Sequence, residues 1–385
     1  MNENHSWHNG VAISTDPHEM SDPLAICDRE RSTCPVAHHP ARGWTLHRHA
    51  DVLQAAREHR SFSNVVSRHV AIPNGMDPPE HTLYREMIDK YFLDSQVQAL
   101  EPVFRDLAQK HWLARPEGEV EVMEHFACPL ALSAQCSFAG WPGQLASRLA
   151  EWLEGQQRAA RTGKRELLDQ HALAFAALVI EQLEQRRRDD PDLQRQDVTT
   201  RLMREKIAGR YLSDDELVSI LRNWTVGELA TMASAIGILV GFLADRPTLQ
   251  DRLRQKPEEI PYAIEEILRL QGPLWSNRRV VSRDICLGGQ QMRAGEPLTL
   301  MWASANRDES VFVQPTTFRR ERDLSASLLF GAGIHRCPGA SLALLQLRLA
   351  LETVLSSSTF TAGGRPPIPA QPPAAGWSRI WVTVI

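Results

Sequence analysis

Phe330-Gly331-Ala332-Gly333-Ile334-His335-Arg336-Cys337-Pro338-Gly339 runs straight into an apolar stretch from Ala340 to Leu355. Glycines at 331, 333 and 339 open turn and bulge conformations closed to other residues, so the spacing predicts a tight loop at a helix entrance. Cys337 is then presented by the loop rather than packed in a core. A thiol beside His335 and Arg336, with a helix N-terminus just beyond, is expected to have its pKa lowered towards thiolate. That suits a metal ligand. The plainer reading is a small buried cysteine in a glycine-rich turn, a common fate of unmodified Cys.

The rest of the 385 residues sets the limits. Lys and Arg total 43 against 47 Asp and Glu, which leaves no electrostatic footprint for nucleic acid. The six cysteines have no regular spacing and form no Cys-x-x-Cys pair, so neither a disulfide framework nor a zinc site is indicated and a reducing, cytoplasmic setting is expected. Residues 1–22 are polar and lack the order of a signal peptide. Val226 to Ala244 is apolar enough to suggest a membrane span, but Glu228 within it and Asp245-Arg246 at its end favour a buried helix of a protein without a membrane anchor. We expect residues 1–42 to be a partly irregular extension and 43–385 a single domain.

Along the chain, Cys34-Pro35-Val36-Ala37-His38-His39 carries metal-ligand types without further ligands at workable spacing, so 23–42 is read as an irregular lead-in. Gly43 to His47 reads as a strand, Asp51 to Glu58 as a helix, and Ser61 to Met76 as a long loop of the kind that walls a substrate site. Asp77-Pro78-Pro79 opens a helix on which His81 and Arg85 stand four apart, on one face, able to grip a carboxylate. Helices follow, broken at Pro116-Glu117-Gly118, Trp141-Pro142-Gly143 and Asp189-Asp190-Pro191. Ser213-Asp214-Asp215-Glu216 is a capping box for a helix that can run to Asp245, roughly 48 Å. Ile220, Trp224, Gly227, Glu228 and Thr231 share one stripe of it that mixes a glycine, an acid and an alcohol. Glu266 and Arg269 are spaced to ion-pair on a helix beginning near Pro257. After Pro273 to Asn277, Arg278-Arg279-Val280-Val281 and alternating Ile285 and Leu287 before Gly288-Gly289 read as strand and hairpin, and Trp377 to Ile385 alternates like a strand.

The Phe-Gly-x-Gly-x-His-x-Cys-x-Gly pattern of residues 330–339 resembles the haem-binding loop of the cytochrome P450 family. The resemblance extends in order through the Asp77–Arg85 segment, the long helix, the Glu266/Arg269 pair and the residues leading to Phe318. It implies a mainly α fold with small β-sheets: one triangular helical domain around haem b. By the same resemblance Cys337 is the axial thiolate on iron within the loop of Phe330, Gly331 and Gly339. His81, Arg85, Arg279 and His335 bind haem propionates, with Arg278 an alternative to Arg279. Glu266 and Arg269 are structural, completed by Arg319 or Arg320.

The family usually places an acid before the threonine of the long helix; here the run is Gly227-Glu228-Leu229-Ala230-Thr231. Thr231 is retained, Ala230 replaces the acid, and Glu228 either supplies the missing carboxylate, binds a polar substrate group, or is a structural glutamate. Asn223, Trp224, Gly227, Trp275 and Trp377 are the candidate substrate-pocket residues. The resemblance implies a bacterial haem-thiolate monooxygenase. Electrons from a ferredoxin and ferredoxin reductase, or a similar donor docking near Arg336, would activate O₂ and insert one oxygen atom into a small organic substrate. Ala230 keeps open peroxide-driven oxidation and nitric oxide reduction; a haem protein that binds or senses a ligand is a third class.

Overall fold

The computed structural model describes residues 7–8, 11–12, 23–67, 70–162, 164–370 and 375–385. At its centre lies the helix Asp214–Ala244, started by the expected capping box: Ser213 Oγ accepts from the Glu216 amide while the Glu216 carboxylate accepts from the Ser213 amide. From Met232 to Val240 every residue is buried and nearly all are apolar, as a helix stretch packed on every side must be. Around it pack Cys128–Ala139, Arg165–Asp189, Ile260–Leu270 and Ala340–Ser357. Asp214–Ala244 and Ala340–Ser357 are long and apolar enough to cross a membrane, yet 67% and 61% of their apolar windows are buried inside the fold.

The three predicted breaks fall where helices end, at Leu113, Ala139 and Asp189. Two helices, Leu145–Thr162 and Arg165–Asp189, lie between the last two breaks.

Sheets flank the helices. The largest has the order Val36–His39, Gly43–Leu46, Pro297–Met301, Ser276–Val281, Phe62–Ser63, with Pro297–Met301 and Gly43–Leu46 parallel. A second sheet joins Phe360–Ala362, Trp381–Val384 and Glu119–Glu121.

The lead-in expected to be irregular is instead ordered. Pro23–Thr33 is a helix and Val36–His39 an edge strand paired to Gly43–Leu46. Its anchor is buried Arg31, which donates to the Ser304 carbonyl at 3.0 Å and pairs with Glu309 and Asp28. Cys34 lies just past this helix and His38 and His39 on the edge strand, and no cluster of three or more His, Cys, Asp and Glu side chains forms among the described residues. Most of 1–22, and Pro372-Pro373 of the proline-rich tail, lie outside the described residues.

Candidate functional site

The Cys337 loop is closed by its own backbone. The Cys337 amide donates to the Phe330 carbonyl at 2.9 Å, and Gly333–His335 forms a single 3-10 turn. Gly331 and Gly333 take φ of 70° and 72°, the left-handed region that glycine enters without cost. A Cβ on Gly333 would also lie 2.2 Å from the Ala56 carbonyl oxygen, so this glycine seats the loop on the helix His49–Arg57. Gly339 has an ordinary φ of −86°; its place is set by Phe92, 3.4 Å from where a side chain would begin.

The expected lowering of the Cys337 pKa is not what the surroundings produce. Burial pushes the thiol up, the Gly339 amide pulls it down, and the Glu228 carboxylate pushes it up again; Arg85 and Arg336 counter more weakly. Desolvation outweighs the cations.

Four basic side chains converge beside the loop. His81, 2% exposed on the helix Glu80–Asp89, meets His335 edge to face with ring centroids 4.4 Å apart. Arg85 Nη1 donates to the Ile334 carbonyl at 3.0 Å. Arg279 is 5% exposed, whereas Arg278 is exposed. Burial first, then the charges of His81, Arg279 and Arg85, hold His335 down to about 3. Burial brings Arg279 down to about 10 against an opposing pull from Asp77. His81 Nε2 and His335 Nε2 are buried without partners.

The Glu228 carboxylate that acts on Cys337 comes from the middle of the long helix. Thr225 and Leu229 are buried, yet Val226 is 42% exposed, and a Cβ on Gly227 would meet nothing within 4 Å. Open space therefore lies against this stretch. Thr231 is half-buried within it. Glu228 is pushed up to about 7 by burial, with Gln346 opposing, and its Oε1 has no partner.

The pocket residues expected from sequence are scattered. Asn223 spends its amide on the Ile72 carbonyl at 2.8 Å. Trp224 packs among Tyr91, Phe92 and Phe138. Trp275 packs on Cys27 and Met301, leaving its neighbour Leu274 42% exposed. Trp377 lies against Gly237 and Gly241, further along the helix than Thr231. Glu266 and Arg269 are both fully buried and paired at 2.7 Å. Their third member is Arg322, not Arg319 or Arg320, whose side chains face outward.

Comparison with known proteins decides the family. A family model described as Cytochrome P450 matches residues 149–377. Cytochrome P450 109 of Bacillus spizizenii is 30% identical over 349 residues, covering 87% of this chain and 84% of that protein. The cyclomarin C epoxidase CymV of Salinispora arenicola is 30% identical over 342 residues, 82% of this chain and 85% of that protein. The chain belongs to the cytochrome P450 family.

The crystal structure of the versatile cytochrome P450 enzyme CYP109B1 from Bacillus subtilis superposes with a TM-score of 0.84 at 25% identity, over 94% of this chain and 99% of that one. The mainly α fold with small sheets is thus the P450 fold. Cytochromes P450 are haem-thiolate monooxygenases that act on small organic molecules with electrons from redox partners, and this chain is an enzyme of that kind. Its residues fit the cofactor. A loop-held thiol, open space against Gly227 and two buried imidazole nitrogens without partners make a cradle for a flat, dianionic ligand.

Proposed function

We propose that the chain binds haem b through Cys337 and works in the cytoplasm. With electrons from a ferredoxin and its reductase, it inserts one atom of O₂ into a small organic substrate. The observation supporting this is a loop-held Cys337 that feels Glu228 of the open stretch of the long helix, with His81, Arg85, Arg279 and His335 gathered beside the loop. When bound, the haem supplies one-electron and oxygen chemistry, made more electron-rich by the thiolate.

The remaining work falls to side chains. The Gly339 amide helps hold charge on the Cys337 sulfur. His81, Arg85, Arg279 and His335 would hold the propionates, whose negative charge offsets the burial that lowers the pKa of His81, His335 and Arg279. Phe330, Gly331 and Gly339 shape the loop. Thr231 offers a hydroxyl, and Glu228 retains a proton near neutral pH in place of the acid that Ala230 lacks. Leu274 and Val226 present apolar surface to the substrate.

Reduced protein under carbon monoxide should give the red-shifted Soret band of thiolate-bound haem, and Cys337→Ser should abolish it. An unshifted band in the parent protein would sink the ligand assignment. Ala230 favours a second reading, with peroxide as oxidant or nitric oxide as substrate. Turnover with O₂ and a ferredoxin couple, compared with peroxide alone and with NADH plus nitric oxide, separates these readings.

A further inference from the structure

We propose that Arg222 anchors the substrate, and that the substrate is an alkyl monocarboxylate whose head pairs with Arg222 while its tail runs along the helix towards Thr231. This rests on the reading that oxidation takes place beside the open middle of the long helix. Arg222 is half-buried on that helix, nine residues before Thr231. Its Nη2 donates to the Val70 carbonyl at 2.9 Å, and its guanidinium makes no other bond among the described residues. Arg252, Arg269 and Arg322 each meet a carboxylate. Arg222 forms no ion pair among the described residues, and its helix neighbours three and four positions away, Val218, Ser219, Thr225 and Val226, include no acid. A guanidinium taken partly out of water, with most of its five donors unspent, favours a planar anion that accepts from two of them at once.

The surface beside it is apolar. Val70, whose carbonyl Arg222 holds, is 58% exposed, and Val226, one turn along the helix, is 42% exposed. Val65 and Val66 of the same loop are exposed as well. Beyond Val226 come Gly227, where a Cβ would meet nothing within 4 Å, and half-buried Thr231. Cation, apolar wall, open space and hydroxyl therefore follow in that order along one helix. Nine residues of helix rise about 13 Å. An extended chain advances about 1.2 Å per bond, so roughly eleven bonds cover that rise. One positive charge at an apolar rim suits a monoanion with a hydrocarbon body, whereas a phosphate monoester, close to a dianion, would keep charge unanswered there. The anchor changes no bond; it fixes which stretch of the tail lies against Thr231.

Spectral titration of the holoenzyme with dodecanoate and with dodecanol, equal in length and different in charge, tests this, with calorimetry as a second reading of each affinity. The parent should bind dodecanoate about tenfold more tightly than dodecanol. Arg222→Leu and Arg222→Gln should each lose that preference with dodecanol bound as in the parent, and Arg222→Lys should keep part of it. These variants also lose the Val70 contact, but a loosened loop weakens acid and alcohol alike and leaves the preference in place. A parent that binds the alcohol as well as the acid, or binds neither, overturns the anchor, and so does a preference that survives both Arg222→Leu and Arg222→Gln. The carbon monoxide band keeps the two readings apart. A red-shifted band in the parent and all variants, with no preference for dodecanoate, leaves the haem-thiolate function standing and sinks the anchor alone.

Discussion

Arg322 Nε donates to Glu266 Oε1 at 2.8 Å across 56 residues of chain, while Arg269 Nε holds the other oxygen of the same carboxylate at 2.7 Å. Arg269 further donates to the Asn306 and Pro315 carbonyls, and Arg322 to those of Val313, Gln314 and Thr317. One buried acid thus fixes the segment leading to the Cys337 loop onto the helix Ile260–Leu270. Removing one partner strands a buried charge, which typically costs about 3–5 kcal/mol. Glu266→Gln and Arg322→Leu should each lower the unfolding midpoint sharply and yield protein poor in haem. Arg320→Ala, on the surface, should stay within about 0.5 kcal/mol of the parent. Equal effects from Arg320 and Arg322 would refute the assignment.

The sequence made the Cys337 loop, the capping box and the His81/Arg85 face legible because each is local: its residues lie within about one or two helical turns of one another. Arg322 was not legible. Three arginines crowd 319–322, and which one turns inward depends on a helix far back in the chain. Trp224, Trp275 and Trp377 are hard to place from sequence for a related reason, since a large ring fills a core as readily as it lines a pocket, and all three pack against core clusters. The strand Val36–His39 exists through pairing with Gly43–Leu46, a tertiary effect that local pattern does not carry. The Cys337 thiol was misjudged because neighbouring cations can be read from sequence, whereas desolvation cannot.

His81 and Arg85 make a separable prediction. If they hold propionates, each supplies a charge-assisted bond, and losing one should cost about 1.4 kcal/mol, or tenfold in haem affinity. His81→Leu and Arg85→Leu should each release haem faster to a scavenging apoprotein, with the carbon monoxide band of the remaining holoenzyme unmoved. Arg278→Ala, exposed, should release haem at the parent rate.

The 61–76 loop is tied to the long helix by three side chains. Ser219 Oγ accepts from the Ile72 amide at 2.9 Å and donates to the Val70 carbonyl at 3.0 Å. Arg222 also donates to Val70, and Asn223 to Ile72. Ser219→Ala with Asn223→Ala should cost about 2 kcal/mol, less if the two share strain. The more telling readout is local: protease cleavage within the loop should speed up. If this loop walls the substrate site, the spectral shift on substrate binding should need more ligand. A loop cut no faster than in the parent would mean that its fixing lies elsewhere.

Glu216 ties the start of the long helix to two neighbours and gives the fold an acid limit. Arg210 first, then the Tyr84 hydroxyl and the Ser213 amide, bring its carboxyl from 4.5 down to about 2. A carboxyl with the lower pKa in the folded state binds fewer protons there than when unfolded, so between these values stability rises with pH. The contribution is complete above about pH 4.5 and lost as pH falls towards 2. Arg210 is 58% exposed, so solvent screens its share, and the cap and the buried Tyr84 contact carry the rest. Glu216→Gln should cost about 1–2 kcal/mol at neutral pH. Denaturant unfolding over a pH series should then find parent and variant converging as the solution is made acid. A constant gap down to pH 2 would mean that the Glu216 charge contributes nothing and that the glutamate acts through packing alone.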